Sequence, residues 1–223
     1  MTNKLKLIVN ERARSPVAEA FRALRTNIQF SKADGELRII MVTSPGPAEG
    51  KSTVLANVAV SMAQAGRKVL ILDCDLRKPV QHSAFRLTGK GLTNALAEGM
   101  PVTSLIQETD IKNLRVVTSG PIPPNPSELL GTSQMQQILN SLKEQCDVLL
   151  IDAPPVVAVT DASVLAARTD GVILVVNSGT TRPEMVQKAK DLLIKAHGDI
   201  LGVVLNRVEI DADQADYYYY YGN

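Results

Sequence analysis

The stretch that most constrains this chain is Thr43-Ser44-Pro45-Gly46-Pro47-Ala48-Glu49-Gly50-Lys51-Ser52-Thr53. An apolar, β-branched run, Ile39-Ile40-Met41-Val42, precedes it, and an apolar helical pattern from Val54 to Ala65 follows. A strand, a Gly/Pro-rich loop, Gly-Lys-Ser and a helix together make a phosphate cradle. Small residues let backbone N–H groups approach phosphate oxygens, and the helix N-terminus adds unpaired donors and its dipole. Gly46, Pro47, Ala48, Glu49, Gly50, Lys51, Ser52 and Thr53 are therefore the candidate nucleotide contacts. In such a site Lys51 reaches the outer phosphates and the Ser52 hydroxyl ligates Mg²⁺. The usual motif has glycine where this chain has Pro45. The competing reading is a loop with a chance Gly-Lys-Ser; the strand before it and the helix after it favour the cradle.

The remainder of the chain alternates strand and helix signals. Lys68–Asp73, Leu114–Ser119, Asp147–Asp152, Gly171–Val176 and Leu201–Val208 read as strands, the first of them a continuous apolar run, as strands buried on both faces are. Ser15 as cap and Pro16 at the first position start a helix to Gln29, with Val17, Ala20, Phe21, Leu24 and Ile28 on one face. Its opposite face holds Glu19, Arg22 and Arg25. Asn125-Pro126-Ser127-Glu128 reads as a capping box opening one helix to about Glu144. Alternation of this kind predicts an α/β fold, a parallel sheet with helices on both faces and right-handed crossovers. We divide the chain into a mobile basic arm at 1–14, a phosphate-loop NTPase-like domain at 15–210, and a flexible tail at 211–223.

Composition excludes several classes. With 24 Lys and Arg against 23 Asp and Glu, the chain lacks the basic face that a nucleic-acid partner needs. Cys74 and Cys146 are too few for a disulfide framework and read as buried thiols. No signal-peptide core and no membrane-length apolar run is present, which predicts a cytoplasmic protein. Trp is absent and Phe occurs only at 21, 30 and 85, so the core must be aliphatic. All five tyrosines are consecutive: Tyr217, Tyr218, Tyr219, Tyr220 and Tyr221.

In a parallel sheet every strand ends at one edge, where ligands bind. Two strands lead there into carboxylates, at Asp73-Cys74-Asp75 and at Asp152-Ala153-Pro154. Asp73 and Asp75 share a side for as long as the backbone stays extended. Hard oxygens converging beside Ser52 suit Mg²⁺, which retains several waters. The alternative is that each carboxylate caps a neighbouring helix.

Val69–Asp75 followed by Leu76-Arg77-Lys78-Pro79 resembles the additional Walker motif of the bacterial protein-tyrosine kinases, the BY-kinases of capsule and exopolysaccharide export. Ser44…Gly50-Lys51-Ser52-Thr53 is similar to their Walker A, and Leu149–Pro154 to their Walker B. Glu19-x-x-Arg22-x-x-Arg25 resembles their oligomerisation helix, and Tyr217–Tyr221 their autophosphorylated cluster. Related partitioning ATPases have a second lysine at the position of Gly46, so the resemblance is not to that branch. It implies ATP and Mg²⁺ as cofactors, Lys51, Asp73, Asp75 and Asp152 as catalytic residues, and Ser52, Asp73 and Asp152 around the metal. Asp75 resembles the proposed base. A tyrosine with pKa about 10 is only about one part in a thousand ionised at neutral pH, so an acceptor for its proton is useful, even one serving mainly to orient the hydroxyl. Asn206 and Arg207 are similar to purine-binding residues, or else a simple strand-end turn. Arg77 and Lys78 either steer phosphate or are a solvated turn. The resemblance further implies a homo-oligomeric ring, a membrane adaptor of the polysaccharide co-polymerase type at the inner face of the plasma membrane, protein substrates on tyrosine, and a phosphatase. The rival reading is an ATPase switch positioning a membrane partner, with the tail as a docking element.

Overall fold

The computed structural model describes residues 5–32 and 36–209. Within these residues seven strands form one sheet: β1 (Ile39–Thr43), β2 (Val69–Asp73), β3 (Gln107–Glu108), β4 (Leu114–Val117), β5 (Val148–Asp152), β6 (Gly171–Asn177) and β7 (Ile200–Asn206). Their order is β3-β4-β2-β5-β1-β6-β7. Every pairing is parallel except the short β3, which runs antiparallel to β4 at one edge. Sequence patterning does not reveal β3, because two polar residues have no period.

Alternation along each strand divides the core in two. Ile40, Val42, Val69, Ile71, Leu150 and Val175 face one side, where they meet α1 (Ile8–Glu11), α2 (Pro16–Gln29), α3 (Lys51–Gln64) and Phe85, just past α4 (Gln81–Ala84). Met41, Leu70, Leu72, Leu149, Ile151 and Leu174 face the other. There they meet α5 (Leu92–Glu98), α6 (Pro126–Gly131), α7 (Ser133–Lys143), α8 (Asp161–Ala166) and α9 (Pro183–Lys195). Strands β1, β2 and β5 are buried at every position, which is why they read as unbroken apolar runs.

Three expectations change. The helix at 126–144 is two helices, because Thr132 adopts an extended backbone and its Oγ1 accepts from the Met135 amide at 3.3 Å, capping α7. The capping box at its start is altered too: Asn125 makes no side-chain cap, and its Nδ2 instead donates to Glu128 Oε2 at 2.7 Å. The basic arm is docked in its described part. Val9 is fully buried, and its amide donates to Asn57 Oδ1 at 3.0 Å. Asn57 Nδ2 returns bonds to Lys6 O and Thr53 O, both 2.9 Å. A few apolar residues in a basic stretch, with one buried amide to receive them, suffice to seat it. Among the described residues no helix is long and apolar enough to cross a membrane. The tyrosine cluster at 217–221 lies outside the described residues.

Replacing Asn57 by leucine leaves the buried Val9 amide without its partner, at about 1–3 kcal/mol, and releases the Lys6 carbonyl. Urea denaturation should show the loss, and trypsin should cut faster at Arg12 and Arg14; unchanged values for both would contradict this docking.

Candidate active site

The phosphate loop is shaped by backbone before it is shaped by side chains. Gly50 has φ +91°, and a Cβ there would lie 2.1 Å from Asn206 Nδ2, so only glycine fits. Ala48 also occupies the left-handed region, at φ +62°, a conformation that turns successive amides toward one concavity. Thr43 Oγ1 donates to Pro154 O at 2.7 Å, and the Val156 amide to Ser44 O at 2.9 Å, which ties the loop to the end of β5. Ser44 Oγ donates to Gly46 O at 2.7 Å. Glu49 is buried and accepts from the Asn177 amide and from Thr181 Oγ1, a staple to the end of β6. Asn206 Nδ2 donates to Glu49 O at 2.8 Å, so β7 supports the loop from the third side. Pro47, Ala48 and Arg207 are exposed, and Arg207 has φ +58°.

Lys51 opens α3 and is 9% exposed. Its Nζ lies 2.8 Å from Asp75 Oδ2, 3.0 Å from Asp152 Oδ1 and 3.1 Å from Ser52 Oγ. Burial disfavours the ammonium, but Asp152 and Asp75 outweigh that and hold its pKa above the ordinary lysine value. Asp75 and Asp152 thus meet at the Lys51 ammonium.

Asp73 behaves differently. It ends β2, and its oxygens are taken by main-chain amides, while Asp75 is the one that pairs with Lys51. Its Oδ1 accepts from the Asp75 amide at 3.2 Å, and its Oδ2 from the amides of Val80 at 3.2 Å and Gln81 at 3.0 Å. Asp75 Oδ1 in turn accepts from the Lys78 amide at 3.0 Å. Asp73 thus shapes the turn that presents Asp75. Burial, and next the charge of Asp152 beside it on β5, push its pKa well above the carboxylate range.

Two neighbours were not read from sequence. Gln81, fully buried at the start of α4, donates to Asp152 Oδ2 at 2.7 Å and to Ser52 O at 3.2 Å. Asp161, also fully buried, receives the Arg77 guanidinium through both oxygens, at 2.9 and 3.0 Å, together with Ser127 Oγ. Arg77 is therefore committed to the fold, while Lys78 is exposed. An aspartate one residue before a helical run, and a glutamine in a short polar helix, offer no sequence signal for either role.

The donor set is hard oxygen: Ser52 Oγ, Asp152 and Asp75 beside one cation. Among the described residues no three His, Cys, Asp or Glu side chains cluster as a metal cage. That suits Mg²⁺ held by one or two protein groups plus phosphate oxygens, and it fits no all-protein site.

The oligomerisation candidates sit elsewhere. Glu19 pairs with Arg22, whose Nη2 donates to Ala13 O at 2.6 Å, and Arg25 Nη1 donates to Ser61 O at 3.0 Å, in the last turn of α3.

Comparison with known proteins agrees with this geometry. Residues 37–221 match the family model described as ParA, NUBPL iron-transfer P-loop NTPase. The chain is 45% identical over 217 residues to CapB of Staphylococcus aureus, covering 97% of this chain and 95% of that protein. It is 42% identical to the tyrosine-protein kinase YwqD of Bacillus subtilis strain 168, covering 91% and 86%. The kinase domain of the Escherichia coli tyrosine kinase ETK superposes with a TM-score of 0.86 at 31% identity, covering 95% of this chain and 85% of that one.

Removing the cation should be costly by itself. Lys51→Met leaves buried carboxylates unpaired and should destabilise the fold by about 3–5 kcal/mol at neutral pH. The sign of the pH dependence follows from Asp73, whose folded pKa is already raised and which Lys51 holds down, so that removing Lys51 raises it further. A carboxylate raised in this way withdraws stability as pH climbs from its unfolded value of about 3.9 toward its folded one, so the cost of the mutation should be smaller near pH 5 than near pH 7. Urea midpoints at the two pH values check this; a cost independent of pH would contradict it.

Proposed function

This chain belongs to the bacterial tyrosine-protein kinase family, and from that premise we propose that it transfers the γ-phosphoryl group of ATP to its own tail tyrosines, Tyr217 to Tyr221, in a neighbouring subunit. The observation behind this reading is Lys51 lying within 3.0 Å of both Asp75 and Asp152 at the mouth of the phosphate loop. An ammonium held by two carboxylates is a cation whose partners phosphate oxygens can replace.

On this reading the amides from Ala48 to Ser52 and Lys51 hold the β- and γ-phosphates, so that catalysis rests on positioning and charge stabilisation. Ser52, with Asp152 and Asp73 behind it, would hold Mg²⁺, which would supply positive charge to the phosphoryl group being transferred. A tyrosine hydroxyl attacks phosphorus in line, its O–P bond forming as the bond to the β–γ bridging oxygen breaks. Its proton passes to Asp75, and ADP departs. When Lys51 turns to phosphate, Asp75 gains a free oxygen facing the reacting group. Asn206, already against the loop, and Arg207 beside it are assigned to the purine. From Val208 to Tyr217 the chain spans at most about 30 Å, at 3.3–3.6 Å per residue, enough for a neighbour's site.

Glu19, Arg22 and Arg25 are proposed to build the ring. Arg22 and Glu19 are accessible for that, while Arg25 is shared with the end of α3. The setting we assign is cytoplasmic, at the inner face of the plasma membrane, under a membrane adaptor, in control of capsule or exopolysaccharide synthesis, with a phosphatase resetting the tail.

Incubating the full chain with Mg-ATP and mapping phosphate by mass spectrometry tests the reading. Phosphotyrosine should appear within 217–221, vanish in Lys51→Ala, and fall sharply in Asp75→Asn while ADP binding is spared. ATP hydrolysis with no phosphotyrosine would overturn it in favour of an ATPase switch.

A further inference from the structure

Gln81 is fully buried, and its hydrogen bonding is incomplete in one specific place. Both protons of Nε2 are used, on Asp152 Oδ2 at 2.7 Å and on Ser52 O at 3.2 Å, while buried Oε1 has no partner. An unpaired buried carbonyl costs about 1–3 kcal/mol, which an apolar side chain of equal volume would avoid. This fold can satisfy a buried carboxamide: Asn57, also fully buried, uses its oxygen and both of its amide protons. A glutamine serving only to fill space would be the poorer choice.

The location gives the orphan atom a purpose. Through its main-chain amide Gln81 binds Asp73 Oδ2 at 3.0 Å, and through its side chain it binds Asp152 and the carbonyl of Ser52. Those are the three residues assigned above to Mg²⁺.

We propose that Gln81 is a positioning residue for the divalent cation, resting on the kinase reading above. Its N–H fixes the Asp152 carboxylate, leaving the other oxygen, Oδ1, for Lys51 or for the cation's surroundings. Its second N–H holds the Ser52 main chain, and with it the hydroxyl. Its Oε1 is the acceptor for a hydrogen of the cation's water shell, which Mg²⁺ retains and which needs acceptors when buried. Gln81 also keeps one donor on Asp152 when Lys51 turns to phosphate, so that this carboxylate is never left bare in the interior.

The test is the affinity of a fluorescent ADP analogue for the full chain, in Mg²⁺ and in EDTA, for wild type, Gln81→Met and Gln81→Asn. Wild type should bind more tightly in Mg²⁺. In Gln81→Met that tightening should shrink about 10- to 100-fold, the usual effect of losing an outer-shell partner, with affinity in EDTA unchanged. Gln81→Asn, which keeps an amide, should fall between, and gives the same comparison if the Met variant melts below the assay temperature. Equal Mg²⁺ tightening in wild type and variants would overturn the assignment, as would an equal loss in Mg²⁺ and EDTA, which marks a structural role only. A wild-type chain that binds no nucleotide would instead overturn the kinase reading on which this rests.

Discussion

The structure depends on one buried ammonium. Lys51 is the first residue of α3, and the carboxylates that surround it arrive from the ends of β2 and β5, neighbours in the sheet. A parallel sheet places those ends at one edge, and a helix starting there brings its unpaired amides to the same point. The cost of burying three carboxylates is offset in part by Lys51 and in part by amides: Asp73 takes three, Asp75 one, Asp152 the carboxamide of Gln81. Removing any one partner leaves a charge that the interior cannot solvate. The cluster is therefore poised for a ligand that brings phosphates and a cation together.

Helix α3 is gripped along its whole length. The loop held by Glu49 and Asn206 controls its start, the arm binds Asn57 in its middle, and Arg25 takes the Ser61 carbonyl near its end. Eleven of its fourteen residues are buried, since the sheet covers one side and α1 and α2 the other. The helix proposed to build the ring thus packs directly on the helix that begins at the phosphate site.

Much of this was legible in the chain. The apolar runs located the buried strands to within a residue or two, and Gly-Lys-Ser after a strand located the site. That Asp75 and Asp152 come near the loop follows from strand ends meeting at one edge, whereas their pairing with Lys51 does not show in the sequence. What escaped reading depends on tertiary contact. Extended spacing groups Asp73 with Asp75, yet the oxygens of Asp73 serve main-chain amides instead. Gln81 is one polar residue in a four-residue helix, and only its burial against Asp152 gives it meaning. The break at Thr132 is a capping hydroxyl inside an otherwise helical pattern. Residues 5–11 look solvated until Asn57 is found beneath them.

The central claim is that Lys51 exchanges its carboxylate partners for phosphate while Asp152 stays held. A crystal structure of the full chain with Mg²⁺ and ADP tests it most directly. The account predicts Lys51 Nζ on a β-phosphate oxygen, an opened Lys51–Asp75 contact, and Gln81 still bonded to Asp152. Lys51 remaining between Asp75 and Asp152, with the phosphates bound elsewhere, would contradict it.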